Sequence, residues 1–213
     1  MARAIGQPLC CARAVSTLPN NPHIYVHTDP VSSTHTLTLT PTTPPVKSLS
    51  LGTTTAIPPT PNTFRENPTF HGILQSVIAA HAVHDPEVQA QAAAYASQSG
   101  ASNIGERDER GRRRRRRRQR ARGMGGAGRG GWVHVSDQRN PPDYGRIAWP
   151  EDMFGSVEVD ARGAFVGADG NYQQSGTYRL CTNEGILGLS KYLRERVVER
   201  VRELEVQERA KGN

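Results

Sequence analysis

Alternating hydrophobic and hydroxyl residues mark the first third of the chain as β-structure. Residues 34–40 read THTLTLT, which puts Leu37 and Leu39 on one face with threonines opposite. The alternation recurs over residues 46–51, and residues 23–28 read HIYVHT. A period of two in residues rich in threonine and valine is typical of half-buried antiparallel strands. We therefore predict three strands in this part of the chain.

Two helix starts follow the strands. Asn67 and Asp85 each precede a proline, the pattern of an N-cap residue with proline at the first helical position. Apolar residues then recur at helical spacing, and Gly100 is a natural stop. Because Pro86 removes a backbone donor, we predict two helices or one helix with a marked kink.

The last third of the chain repeats the strand pattern and ends in a helix. We predict strands over residues 132–136, 154–160 and 177–182, with a short hairpin partner at 164–166. Ser190 is predicted to cap a final amphipathic helix, whose apolar face holds Leu193, Val197, Val201 and Leu204. Together these elements predict an α+β fold, a mostly antiparallel sheet covered by two or three helices.

Charge divides the chain into parts. Residues 106–130 hold 12 arginines and 3 acidic residues, while the whole 213-residue chain has 27 basic and 20 acidic residues. The remainder therefore has 15 basic and 17 acidic residues and is nearly neutral. Repelling like charges and abundant glycine oppose folding, so we predict a disordered tether over 101–131. It joins two segments, 21–100 and 132–213, which we expect to share one core because small domains are marginally stable alone.

The arginine run within the tether suggests a partner. Its seven consecutive arginines could neutralise nucleic-acid phosphates, with an affinity that falls steeply as salt rises, or could act as a nuclear import signal. The segment lacks aromatic residues that would stack on bases. The alternative is a solvated loop insertion without function, which loops tolerate at low cost. The run consists of Arg112, Arg113, Arg114, Arg115, Arg116, Arg117 and Arg118.

Composition also bears on location. Cys10, Cys11 and Cys181 give neither a disulfide framework nor a zinc spacing, which indicates a reduced, intracellular setting. No stretch has the 18 or more apolar residues of a membrane span, so no membrane partner is expected. We predict that residues 1–20 are disordered or a weak targeting segment. Nuclear or cytoplasmic placement is favoured, and mitochondrial import through the N-terminus is the alternative.

One polar loop is the best candidate binding site in the sequence. Catalytic and binding residues concentrate on loops held by a scaffold, and residues 136–152 form the densest polar cluster. Two arginines of this loop could clamp a carboxylate or phosphate, and Asp143 could form an acid/base pair with Glu151 or Asp152. The alternative is that these charges pin the loop to the sheet. The candidate residues are Asp137, Arg139, Asp143, Arg146 and Asp152.

Metal and cofactor chemistry finds little support. His81, His84 and Asp85 have helical spacing, but a metal site needs a further ligand and Asp85 is better explained as an N-cap. There is no nucleophile elbow and no glycine-rich phosphate loop. We therefore assign no catalytic residue, no metal and no cofactor.

Four stretches resemble a small family of uncharacterised fungal proteins. They read WVHVSDQRNPPDYGRIAWPEDMFGSVEVD, SGTYRLCTNEGILGLSKYLRERVVERV, HIYVHTDP and DPEVQAQAAAYAS. The resemblance covers most of the chain outside the first 20 residues and the tether. It implies two segments with a variable linker and a fungal, intracellular setting, and it implies no reaction or cofactor.

Three functions follow, in order of preference. The first is a non-enzymatic protein that binds a partner protein through the 136–152 loop and the outer face of the helix over 190–208. The second is a nucleic-acid-associated protein, nuclear or in a mitochondrial ribonucleoprotein, that uses the arginine tether. The third is an enzyme for a small anionic substrate, held by Arg139 and Arg146. The oligomeric state is left open.

Overall fold

A computed structural model describes residues 15–29, 31–101, 130–143 and 146–211. The predicted tether, with Arg112–Arg118, lies outside these ranges except at its ends. The described strands are β1 (Val15–Leu18), β2 (Asn21–Asp29), β3 (Thr34–Thr38), β4 (Gly52–Thr54), β5 (Phe64–Glu66), β6 (Gly131–Ser136), β7 (Met153–Val159), β8 (Gln173–Gln174), β9 (Cys181–Thr182) and β10 (Gly185–Ile186). The α-helices are α1 (Pro68–His81), α2 (Pro86–Ala101) and α3 (Lys191–Lys211).

The strands form three antiparallel sheets. β1 to β5 lie in sequence order in a five-stranded meander, β6, β7 and β8 form a second sheet, and β9 pairs with β10 in a short hairpin. With three helices beside these sheets, the α+β class predicted from the sequence is confirmed.

Helix boundaries follow from capping. The Asn67 side chain accepts a hydrogen bond from the Thr69 amide at 3.0 Å and thereby starts α1. Asp85 does the same for the Glu87 amide at 3.1 Å, ahead of α2. Ser190 accepts from the Leu193 amide at 3.2 Å ahead of α3. All three caps were predicted from the sequence.

A single hydrophobic cluster unites residues from both sides of the tether. It includes Leu37 from β3, Ile78 from α1, Phe154 from β7 and Val197 from α3, each fully buried. α1 contacts α3 directly, and α2 contacts β6. The first and last thirds of the chain thus bury their apolar surface against each other.

The predicted strand over residues 46–51 is wrong. Residues Lys47–Leu49 form a 3₁₀ turn, and the strand begins only at Gly52. The Asn67 side-chain amide donates to the carbonyls of Lys47, Ser48 and Ser50 at 3.2, 2.9 and 2.8 Å. A side chain therefore takes acceptors that a neighbouring strand would have used, and only Leu51 bonds like a strand residue, its amide donating to the Leu37 carbonyl of β3 at 2.9 Å.

The predicted strand over residues 177–182 is too long, because only Cys181–Thr182 pairs as a strand. Tyr178 and Leu180 are buried as the alternation requires. Two backbone groups of this segment, however, bond to side chains: the Leu180 amide donates to Glu66 Oε1 at 3.0 Å, and the Arg179 carbonyl accepts from Arg139 at 2.7 Å. Side chains thus supply part of the hydrogen bonding along this segment, while the Arg179 amide donates to the Glu151 carbonyl at 3.1 Å and the Leu187 amide donates to the Leu180 carbonyl at 2.9 Å.

Residues 15–18 lie within the segment 1–20 that we predicted to be disordered or a weak targeting segment. They form β1, which pairs with β2, and Leu18 is only 3% exposed. Ser16 and Thr17 interrupt the apolar pattern. Strand pairing, which sequence periodicity does not report over four residues, holds β1 in place.

Candidate functional site

The guanidinium of Arg139 is buried at the base of the predicted binding loop. The side chain is 3% exposed, and its Nε donates to Asp152 Oδ1 at 2.7 Å. Nη1 donates to the Leu180 carbonyl at 3.0 Å, and Nη2 donates to the carbonyls of Glu151 and Arg179 at 2.9 and 2.7 Å. The planar fork of arginine suits this set, since four acceptors surround one rigid group.

An aromatic pair lies against this guanidinium. The Arg139 Cζ atom lies 5.4 Å from the centroid of the Tyr178 ring, within the range of a cation–π interaction. The Tyr178 ring in turn lies 4.6 Å from that of Phe154 in the core. The charged guanidinium of Arg139 therefore lies between the hydrophobic core and the loop.

Asp137 completes the buried cluster. The residue is fully buried, and Oδ1 accepts from the amides of Arg139 and Gly188 at 2.9 and 2.8 Å. Oδ2 accepts from the Tyr178 hydroxyl at 2.9 Å and lies 3.7 Å from Arg139 Nε. At Gly188 a Cβ atom would lie 2.7 Å from the Arg139 amide nitrogen, so only glycine allows this close approach. We call Asp137, Arg139, Asp152 and Tyr178 the arginine clamp.

Burial governs the protonation of Asp137. It raises the pKa of that carboxyl to about 6, against the opposing effects of Arg139, the two amides and the Tyr178 hydroxyl. Burial likewise raises the pKa of Tyr178 well above its usual value. Tyr178 therefore remains a neutral hydrogen-bond donor.

We expect stability to fall as pH rises through the Asp137 transition. The folded-state pKa of about 6 exceeds the reference value of 3.8, so the folded protein binds the proton more tightly. Its contribution is complete below about pH 4 and is lost above about pH 6, a change of about 3 kcal/mol in the free energy of unfolding. Urea unfolding between pH 4 and 7 measures it, with Asp137→Asn as the reference that does not titrate. A constant difference between the two proteins would contradict it.

The five predicted loop residues fall into a buried group of three and an exposed group of two. Asp137, Arg139 and Asp152 meet in the clamp, whereas the side chains of Asp143 and Arg146 are 82% and 78% exposed and lie 3.9 Å apart. Arg139 and Arg146 are therefore not brought together as a two-arginine clamp for an anion, because the donors of Arg139 already bond to the protein. Of the two acid/base pairs predicted for Asp143, the one with Asp152 is disfavoured because Asp152 bonds to Arg139 at 2.7 Å, while the one with Glu151 stays a prediction.

The tip of the loop exposes large apolar side chains. Ile147 is 67% exposed and Trp149 is 69% exposed, while Ala148 between them is buried. Pro141 and Pro142 are exposed on the other arm. The base is fixed, since the Trp149 carbonyl accepts from the Asp152 amide at 2.9 Å and the Pro150 carbonyl accepts from the Thr177 hydroxyl at 2.8 Å. We call residues 141–143 and 146–150 the displayed loop. The two exposed side chains were not singled out as a pair by the sequence, because alternation alone does not say which face is open.

A serine–histidine pair also escaped sequence analysis. Ser156 Oγ lies 2.8 Å from His134 Nδ1 across β6 and β7, and burial lowers the pKa of His134. In the part of the chain that the structure describes, no carboxylate bonds to the other ring nitrogen. A catalytic serine needs a base that is itself oriented by a third group, so this pair is a cross-strand contact.

The region of the metal candidates serves to join helices. Asp85 Oδ2 accepts from the Ser190 hydroxyl at 2.7 Å, while Oδ1 caps α2. The caps of α2 and α3 are thus linked to each other. Within the described ranges, no group of three histidine, cysteine or acidic side chains could hold a metal ion.

The outer face of α3 borders an open groove of about 870 Å³ against β2 and the segment after β3. Tyr25, Leu39 and Val198 contribute apolar surface to it. Arg196 pairs with Glu199 at 2.7 Å across one helical turn. The second contact surface predicted from the sequence is therefore a charged helix face beside an apolar strip.

The chain matches no protein-family model, no curated protein and no solved structure. Of the helices in the described ranges, none is long and apolar enough to cross a membrane.

Proposed function

We propose that the protein is a non-enzymatic binding module that holds a partner protein through the displayed loop. The observation that carries this proposal is the exposure of Trp149 and Ile147 in the same loop as the buried, bonded pair Arg139 and Asp152. Tryptophan is prominent among the side chains that dominate binding energy at protein interfaces.

The composition of the displayed loop resembles the anatomy of an interface. Two large apolar side chains are exposed two positions apart, and the nearby Asp143–Arg146 ion pair provides a polar margin. The partner surface would be an apolar depression that accepts the indole ring. Fixing the base of the loop reduces the conformational entropy that binding would otherwise cost.

Binding is favoured over catalysis because the chemically capable groups are already used. The side chains of Asp137, Arg139 and Asp152 bond to one another or to the backbone and are almost inaccessible to solvent. Placing a substrate on them would require breaking these contacts. Their arrangement fits a role in positioning the displayed loop.

We expect Trp149→Ala to weaken partner binding at least about thirtyfold, the loss of a strong interface residue of about 2 kcal/mol. Wild-type and variant proteins are immobilised at full length, and the partner captured by wild type is identified and then titrated in purified form. Val31→Ala is the matched control, because Val31 is 93% exposed and lies on a different loop. It should change affinity less than twofold.

Two results would contradict the proposal. One is undiminished binding of the partner by Trp149→Ala. The other is an equal loss with Val31→Ala, which would indicate non-specific capture by exposed apolar surface. Thermal unfolding of each variant should match that of wild type, since exposed side chains contribute little to stability.

A further inference from the structure

A small recess adjoins the open groove beside α3. Its volume is about 100 Å³, and it shares His23, Leu39 and Arg194 with the lining of the groove. The rest of its wall comes from the start of β2 and from residues 187–189, which follow β10. We call it the side recess.

Several polar groups in the wall of the side recess already bond to the protein. The Asn21 side chain donates to the Leu187 carbonyl at 2.9 Å and accepts from the His23 amide at 3.1 Å. The Gly188 amide donates to Asp137 Oδ1 at 2.8 Å. These groups are therefore not free to hold a ligand.

The guanidinium of Arg194 differs from them. Arg194 is half-buried, and its side chain forms no ion pair or hydrogen bond with any residue that the structure describes. Other arginines of the same helix are paired: Arg196 lies 2.7 Å from Glu199. Arg200 lies 2.9 Å from Glu203. Since a guanidinium binds a carboxylate or phosphate through two parallel hydrogen bonds, the donors of Arg194 remain available to an anion.

Size and charge narrow the ligand class. A volume of about 100 Å³ equals roughly three water molecules, and a cavity that accommodates benzene measures about 150 Å³, so the recess suits a small head group. None of the described residues that line the recess is acidic, and Arg194 supplies one full positive charge. The exposed Glu195 lines the adjoining groove and opposes a second negative charge on the ligand. A singly charged carboxylate fits these conditions.

The groove offers apolar surface next to the side recess. Tyr25 and Val198 are half-buried, Leu39 is buried, and all three line the groove. Leu39 lines the side recess as well, so the apolar surface is continuous with it. A ligand with its carboxylate in the recess can therefore lay an apolar body along the groove.

We propose that the side recess binds the carboxylate of a ligand with an apolar body, with Arg194 as the partner of the carboxylate and the groove beside α3 as the site of the body. The site is separate from the displayed loop, and it does not depend on the proposed partner-binding function.

The test titrates full-length protein with 4-methylpentanoate and with 4-methylpentanamide, which has the same apolar body and no charge. Binding is followed by NMR chemical shifts of backbone amides. We expect saturable shifts at His23, Leu189 and Arg194, with the carboxylate at least about tenfold tighter than the amide, because hydrogen bonds to charged groups are stronger than neutral ones. Acetate, which lacks the apolar body, should bind at least about tenfold more weakly than 4-methylpentanoate.

Arg194→Gln isolates the charge. Because Arg194 has no ion-pair partner among the described residues, its removal leaves no acid uncompensated, and the variant should unfold at the wild-type temperature. Its affinity ratio of carboxylate to amide should fall from at least about tenfold to near one. Arg200→Gln is the matched control, because Arg200 lies on the same helix and lines neither the recess nor the groove. It should keep the wild-type ratio.

Three outcomes would overturn the proposal: no saturable shift, shifts that map outside the recess and the groove, or an unchanged ratio in Arg194→Gln. Acetate that binds as tightly as 4-methylpentanoate would also overturn it, since the groove would then hold no apolar body. N-acetylalanylleucine distinguishes the source of the carboxylate. Binding tighter than that of 4-methylpentanoate would identify the natural ligand as the C-terminus of a peptide. Weaker binding would identify a free small acid.

Discussion

Replacing Arg139 with methionine is expected to lower the free energy of unfolding by about 3–5 kcal/mol, because it leaves buried charge uncompensated. Asp152 loses its ion-pair partner at 2.7 Å, and Asp137 loses the guanidinium that lies 3.7 Å away. Three backbone carbonyls also lose their donors. Such a loss is a large part of the stability of a typical domain. Chemical denaturation followed by far-UV circular dichroism measures it.

Arg146→Met is the matched control for this substitution. Arg146 lies in the same loop, but its ion pair with Asp143 is exposed at both ends, so its loss should cost less than about 1 kcal/mol. Arg139→Lys should resemble Arg139→Met more than wild type, since an ammonium cannot reproduce the planar fork. Equal stabilities for Arg139→Met and Arg146→Met would show that the buried clamp contributes nothing to the fold.

The elements with strong local signals were predictable from the sequence. The caps at Asn67, Asp85 and Ser190 depend on residues a few positions apart, so their outcome is encoded locally. The apolar faces of α1 and α3 and the alternation in β7 follow from burial on one side. In β3, by contrast, Thr38 is buried as well as Leu37. The α+β class is a consequence of these elements.

The errors arose where distant side chains compete for backbone groups. Asn67 takes the carbonyls of Lys47, Ser48 and Ser50, and Arg139 takes those of residues 179 and 180. Both segments alternate like strands and are buried like strands. Nothing within either segment shows that its hydrogen-bond partner is a side chain far away in the sequence.

The candidate site was predicted only in part, because the sequence does not show which distant side chains contact one another. The density of charge between residues 136 and 152 located the loop and supplied Asp137, Arg139 and Asp152. Charge density does not say which charges are buried, so Asp143 and Arg146 could not be separated from them. Trp149 and Ile147 are apolar residues that would ordinarily be assigned to the core, yet they are 69% and 67% exposed, while Ala148 between them is buried.

The clamp connects the displayed loop to the core through Phe154. Arg139 lies against Tyr178, Tyr178 contacts Phe154, and the Phe154 carbonyl accepts from the Tyr172 hydroxyl at 3.0 Å. It also accepts from the Gln75 side chain of α1 at 3.3 Å. Phe154 therefore lies where the loop, the second sheet and the first half of the chain meet.

Phe154→Ala is expected to lower the free energy of unfolding by about 3–5 kcal/mol, through lost burial and the cavity that remains. Because the hydrophobic cluster spans both sides of the tether, the loss should appear in both halves at once. Native-state hydrogen exchange measures this, since amides that exchange only by global unfolding lose protection together. Protected amides of β2 and β3 should lose as much hydrogen-exchange protection as those of β6 and β7.

Leu37→Ala supplies the reciprocal experiment, because Leu37 is fully buried in β3, on the other side of the tether. The substitution should lower the free energy of unfolding by about 2–5 kcal/mol. It should reduce the exchange protection of amides in β6 and β7 as much as in β2 and β3. Val206→Ala, at a side chain that is 69% exposed, should change neither half.

If each core substitution instead affects only its own half, the two segments unfold as separate units, and the clamp then stabilises the second one alone. A shared loss would mean that any partner bound at Trp149 stabilises the five-stranded sheet as well, since binding to the folded state stabilises the whole cooperative unit.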